Sequence, residues 1–194
     1  MAGIKTENFD QIEVRSAAAL RDWLAQNHAQ EESVWLVTYK KATPAFYISR
    51  DAVLDELVAH GWIDGIRRVL DEERTMQLIG RRRTQYWAKS YKDRAARLIE
   101  EGRMAAPGLA SIEEGKANGL WHFMDDVDAL IIPPDLQKAL DAHRPAGENF
   151  DAAAPSYRRN VLRFLKLAKT DATRKKRLAQ IADFAQRDQK IPQM

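Results

Sequence analysis

Apolar residues recur along this chain with two different periods, and the changes between them mark out the elements. Leu20, Trp23 and Leu24 stand at i, i+3 and i+4 behind Ser16, a residue that caps helices. This predicts an amphipathic helix fading near Asn27-His28. Val34 to Tyr39 is a dense β-branched and aromatic run bounded by charge, the pattern of a strand covered on both faces. A second helix opens at Ser49 with core positions Val53, Leu54, Leu57 and Val58. Gly61 follows where a helix end wants positive φ, and Trp62 is placed to fold back on the last turn.

Ile63–Leu70 and Thr75–Ile79 then read as two strands around the short loop Asp71–Arg74, a hairpin. Ile66, Arg68 and Leu70 alternate with Arg67 and Val69, so one face of that hairpin is partly basic. From Trp87 the period becomes helical, with Trp87, Tyr91, Ala95 and Leu98 on one face until Gly102. Another helix spans about Pro107 to Asn118, with Pro near its start and Asn118-Gly119 at its end. Pro133-Pro134 introduces a short helix using Leu136 and Leu140. The Ala-, Pro- and Gly-rich stretch 145–156 reads as a connector pinned by Phe150. Two amphipathic helices end the chain. In the first, Tyr157, Val161, Phe164, Leu165 and Ala168 oppose Arg158, Arg159, Arg163, Lys166 and Lys169. In the second, Leu178, Ile181, Ala182 and Ala185 form the stripe.

The fold class that follows is α+β: a small antiparallel sheet of about three strands in the N-terminal half, then a helical C-terminal half. Residues 1–150 form the body, and 151–194 a helical module packed on it as one compact unit. At 194 residues, 45% hydrophobic and 30% charged, the chain can bury a core and is not disordered. It contains no cysteine, which excludes disulfides, thiolate metal sites and cysteine nucleophiles and suits a reducing compartment. The sequence from Met1 to Asp10 lacks the apolar stretch of a secretory signal, and no apolar run approaches membrane-spanning length. A cytoplasmic protein without membrane contact is expected.

The net charge of +3 is unevenly spread: −4 over residues 1–65, +5 over 66–103, −6 over 104–155 and +8 over 156–194. Either these blocks neutralise one another across the folded surface, or the two basic ones build an anion-binding face. Nucleic-acid binding through them would be weak and salt-sensitive.

The search for chemistry returns little. His28, His60, His122 and His143 stand far apart, so no zinc motif exists, and no Walker loop, nucleophile elbow or dinucleotide fingerprint occurs. No cofactor and no metal is expected. Asp125-Asp126-Val127-Asp128 offers three carboxylates that suit Mg²⁺ but more often cap a helix. His60 stands where an imidazole bonds the last helical carbonyls. Arg81-Arg82-Arg83 followed by Tyr86 and Trp87 suits phosphate binding with stacking. The alternative is a solvated strand exit with Trp87 in the core.

Gly61-Trp-Ile-Asp-Gly65, the arginines at 81–83, and Trp87 followed by Arg94 resemble the YdeI/OmpD-associated (bacteriocin-protection) family. So do Gly102–Leu109, Gly119-Leu-Trp121, and Pro155–Arg159 with Ala168-Lys169 and Thr173-Arg174, a likeness covering roughly residues 20 to 187. The resemblance implies an α+β body with a helical C-terminal module and brings no agreed activity, substrate or cofactor. Where relatives tend to carry Ser, Trp, Ser and Asn, this chain has Gln85, Trp87, Ala88 and Tyr91, so two hydroxyls and an amide are gone. The glycine-flanked acid maps to Asp64, which either accepts from a ligand or fixes a turn.

A non-enzymatic binding or interaction protein of this type, used in stress tolerance, is the leading expectation. Its partner is a small anion or a protein, and the lack of an export segment argues against a porin. The alternative is an enzyme or binder for a small phosphate- or carboxylate-bearing ligand, with a pocket between the sheet and the first following helix. The candidate ligand-binding residues are Trp62, Asp64, Arg67, Arg81, Arg82, Arg83, Trp87 and Arg94. Whether they converge on one concave site separates the two.

Overall fold

The structure is a computed structural model and describes residues 9–192. Most of the N-terminal segment examined for an export signal, residues 1–8, lies outside these. Two compact units fall within Met1–His122 and Phe123–Met194. Among the described residues no helix is long and apolar enough to cross a membrane.

The first unit runs β1 (Gln11–Glu13), α1 (Ala17–Asn27), β2 (Val34–Tyr39), α2 (Arg50–Ala59), β3 (Trp62–Val69), β4 (Arg74–Arg81), α3 (Lys89–Glu100) and α4 (Ala106–Ala117). Ser16 and Ser49 cap α1 and α2 as their positions predict, accepting from the backbone N–H of Ala19 and Ala52. The sheet has four strands in the order β1-β2-β4-β3. It therefore differs from the expected three-stranded antiparallel sheet, because β1 adds a parallel edge against β2. Three residues, Gln-Ile-Glu, are too short to show an alternation, and only pairing with Trp35–Val37 makes them a strand.

β2 is buried at all six positions, as its composition requires of a central strand. The β3–β4 hairpin carries an irregularity: Asp64 pairs with Ile79 while Arg67 already pairs with Gln77. That bulge at Gly65-Ile66 bends the strand outward, and everything beyond it, from Gly65 to Val69, is exposed. Leu20, Leu24, Leu36, Leu57, Trp62 and Ile79 anchor one buried cluster; Trp87, Ala95, Leu98 and Ile112 anchor a second under α3 and α4.

The second unit runs α5 (Asp125–Asp128), α6 (Pro134–Asp141), α7 (Ala146–Ala152), α8 (Pro155–Lys166) and α9 (Asp171–Gln186). The expected connector over 145–156 contains α7, a helix that buries Ala146 and Phe150, spaced i and i+4. Seven residues carrying one glycine offer too little periodicity to announce it. The acidic cluster forms the single turn α5, whose N-cap position is Met124 and carries no side-chain cap hydrogen bond; Asp126, inside the turn, accepts from the adjacent Val127 N–H at 2.8 Å. The basic face of α8 is partly paired within its own unit: Arg158 with Asp151 at 3.0 Å and Lys166 with Asp126.

Candidate functional site

The candidate site lies in the first unit and begins with how α2 ends. His60 Nδ1–H donates to the Glu56 carbonyl at 2.9 Å, and the chain turns at Gly61 with φ +74° into β3. Gly61 also sits under α4. A Cβ there would stand 2.8 Å from the Pro107 carbonyl oxygen. At the next residue of α4, a Cβ on Gly108 would meet the Ala59 carbonyl oxygen at 2.2 Å. These two glycines let the start of α4 lie directly on the end of α2. The last residues of β4 return to the same place, with the Arg82 N–H donating to the Gly61 carbonyl at 2.9 Å.

A cleft of about 510 Å³ opens there, within the usual size range of small-molecule sites. It is lined by His28 and Ala29 after α1, His60 and Gly61 at the end of α2, and Arg81 and Arg82 at the end of β4. Ala106, Pro107, Ala110, Ser111 and Glu114 of α4 complete the lining. The first turn of α4 has no side-chain cap, because Ala105 occupies the N-cap position. His28 fixes its ring as His60 does, with Nδ1–H on the Ala25 carbonyl at 3.0 Å. In the neutral imidazole both residues are left with Nε2 as an acceptor.

Arg82 is the unusual group. It is only 4% exposed, and its guanidinium lies over the Trp87 ring at 4.1 Å and the Tyr91 ring at 4.9 Å. Nη1 donates to the carbonyls of Gln85 and Tyr86 at 3.3 and 3.2 Å. Nε and Nη2 are buried with no hydrogen-bond partner. Burial pushes this guanidinium down to about 10, against the opposing pull of Tyr91 and Asp64. Buried charges normally have their donors satisfied, so two unpartnered donors on this arginine are unusual in a folded interior.

The other sequence candidates distribute as follows. Trp62 is fully buried core, its indole N–H donating to the His28 carbonyl at 3.2 Å. Trp87 is also core, its ring packed against Gly115, where a Cβ would stand 2.6 Å from Nε1. Asp64 takes hydrogen bonds from Tyr91 and, at 2.8 Å, from Gln77. Burial and this carboxylate together push the Tyr91 phenol up. Tyr91 thus occupies this acid. Arg67 is exposed and donates to Thr75 at 3.1 Å. Arg81 reaches Glu31 at 3.4 Å, and Arg83 donates to the Glu31 carbonyl at 2.8 Å and pairs with its carboxylate.

Arg94 belongs to a separate network with Asp51 and Asp55. Burial alone would raise Asp55, but Arg97 and Arg94 outweigh it and hold that carboxyl below its ordinary value. Glu56 beside it, 2% exposed, is clasped by Arg21 at 2.7 Å. Of the eight candidates, then, Arg81 and Arg82 line the cleft, while Asp64 and Trp87 support Arg82 from behind. His28, Pro107, Ser111 and Glu114 enter with no signal in the sequence, since tertiary packing alone brings α4 to the end of α2. Among the described residues no three His, Asp or Glu side chains are grouped to hold a metal.

Two family models match the chain. Residues 12–111, just over half of its 194, match a family described as a domain of unknown function, DUF8412, and the chain belongs to that family. Residues 129–187 match the family described as bacteriocin-protection, YdeI or OmpD-associated. The cleft and the Gly-Trp-Ile-Asp-Gly motif thus fall almost wholly in the first match, and α6 to α9 in the second. No curated protein and no solved structure matches the chain.

Proposed function

We propose that this member of the family is a non-enzymatic binding protein whose first unit holds a small carboxylate- or phosphate-bearing molecule in the cleft beside Arg82. The observation that carries this reading is the pair of unpartnered buried donors, Nε and Nη2, on a cleft-lining guanidinium already stacked and oriented by Trp87 and Tyr91. A planar fork held in this way suits an oxyanion better than a lysine would. The uncapped start of α4, with its dipole, favours the same sign of charge.

The non-enzymatic part rests on commitments elsewhere. Both oxygens of Asp64 are taken, and Ser111 makes no hydrogen bond to either cleft histidine among the described residues. The cleft serine is therefore not paired with a histidine base among the described residues. Stress tolerance is the setting that fits the bacteriocin protection named for the family matched by the second unit.

Calorimetric titration of the whole chain with inorganic phosphate, aliphatic carboxylates and phenyl phosphate at low salt tests the reading. At least one should bind saturably with Kd below about 1 mM. The Arg82→Met variant should lose that binding. Binding retained in Arg82→Met, or none by the wild type at ten times that concentration, overturns the proposal.

A further inference from the structure

We infer that the ligand of this cleft is an amino-carboxylate zwitterion, its carboxylate received by Arg82 and its ammonium by Glu114. The inference rests on the oxyanion site proposed above and adds a second charge to it. Glu114 lines the same cleft from the last turn of α4. Its side chain makes no hydrogen bond or ion pair among the described residues, whereas Glu113 next to it pairs with Lys116 at 2.8 Å. Arg82 and Glu114 also share a narrow crevice beside Trp87 and Gly115, so they are close neighbours. Yet they do not pair.

A buried cation with unpartnered donors and a carboxylate with no protein partner among the described residues, lining one small space, would repel a plain anion at one end and a plain amine at the other. A molecule carrying both charges satisfies both, and that is how opposite charges set apart generate selectivity. His60 adds to this arrangement. With Nδ1–H committed to the Glu56 carbonyl, its neutral ring offers an acceptor, which suits an ammonium donor and not a second oxyanion. Ser111, one turn before Glu114, supplies a hydroxyl that serves either group. Ala29, Ala106, Pro107 and Ala110 leave apolar surface for an aliphatic side chain.

The test is titration of the full chain with the ordinary protein amino acids, then with the deaminated and decarboxylated counterparts of the tightest. For leucine these are isocaproate and isoamylamine. The amino acid should bind at least about threefold tighter than its deaminated acid, the increment expected of a partly exposed ion pair, and the amine should not bind. Glu114→Gln should abolish the preference for the amino acid over its deaminated acid, weakening the amino acid while the acid, relieved of the Glu114 charge, binds at least as tightly as before. Glu114 is exposed on α4, so the variant should keep the wild-type thermal unfolding curve.

Deaminated acid binding as well as every amino acid, with no effect of Glu114→Gln, overturns the zwitterion while leaving the oxyanion site standing. Tighter binding of both by Glu114→Gln also overturns it, since Glu114 would then be an internal competitor for Arg82. Failure of every oxyanion to bind defeats both readings.

Discussion

Arg82→Met should leave the stability of the first unit within about 1 kcal/mol of wild type, although the residue is 96% buried and stacked on a tryptophan. The reason lies in opposing quantities. Burial drives the guanidinium down to about 10, and at about 1.4 kcal/mol per pH unit this amounts to roughly 3 kcal/mol against folding at neutral pH. The sign is that of a base with a depressed pKa: the unfolded chain holds the proton more tightly, so the penalty is present at pH 7. Methionine removes it.

Methionine also removes the stacking on Trp87 and Tyr91, worth about 1–2 kcal/mol. Two hydrogen bonds to carbonyls at 3.2 and 3.3 Å go as well, long enough to count about 1 kcal/mol each. Its own chain keeps the methylene contacts. The losses and the relief nearly cancel. Denaturant unfolding followed by tryptophan fluorescence is the assay, because Trp23, Trp35, Trp62, Trp87 and Trp121 all lie in the first unit. A loss above about 3 kcal/mol, the size expected for a structural ion pair broken on one side, would refute the reasoning and make Arg82 a strut.

Two further outcomes follow from the same geometry. Gly61→Ala should destabilise by more than Gly102→Ala: both sites have positive φ and lose about 1–2 kcal/mol for it, but only Gly61 drives a Cβ to 2.8 Å from a backbone oxygen. Equal melting temperatures for the two variants would show that α4 can move aside. Asp55, held below its ordinary value by Arg97 and Arg94 despite burial, contributes stability that is full above the ordinary carboxylate range and is lost as pH falls through the folded value. Urea midpoints from pH 7 to pH 3 should fall less steeply in Asp55→Asn, which starts lower; parallel curves would contradict the assignment.

Short-range physics was legible in the chain from the start. The serine caps, the β-branched run buried at every position, the Gly61 terminator and the amphipathic α8 all depend on neighbours a few residues away. Their periods and punctuation stand in the sequence itself. The arginine run was also visible as a candidate, and two of its three members do face the cleft. What the chain could not show is which arginine matters. Arg81 and Arg83 reach the distant Glu31, while Arg82 is buried over Trp87 with two donors empty.

That choice is made by β4 ending against Gly61 and by α4 seating Gly108 on the end of α2, contacts between residues tens of positions apart. The same long-range packing turns Gln11–Glu13 into a strand, takes Asp64 out of play through Tyr91, and brings Ser111 and Glu114 to a site no motif announces. Local pattern fixes which elements form because their hydrogen bonds close within a few residues. A site built from the unsatisfied groups of several elements exists only where those elements end together, and that is a property of tertiary structure alone.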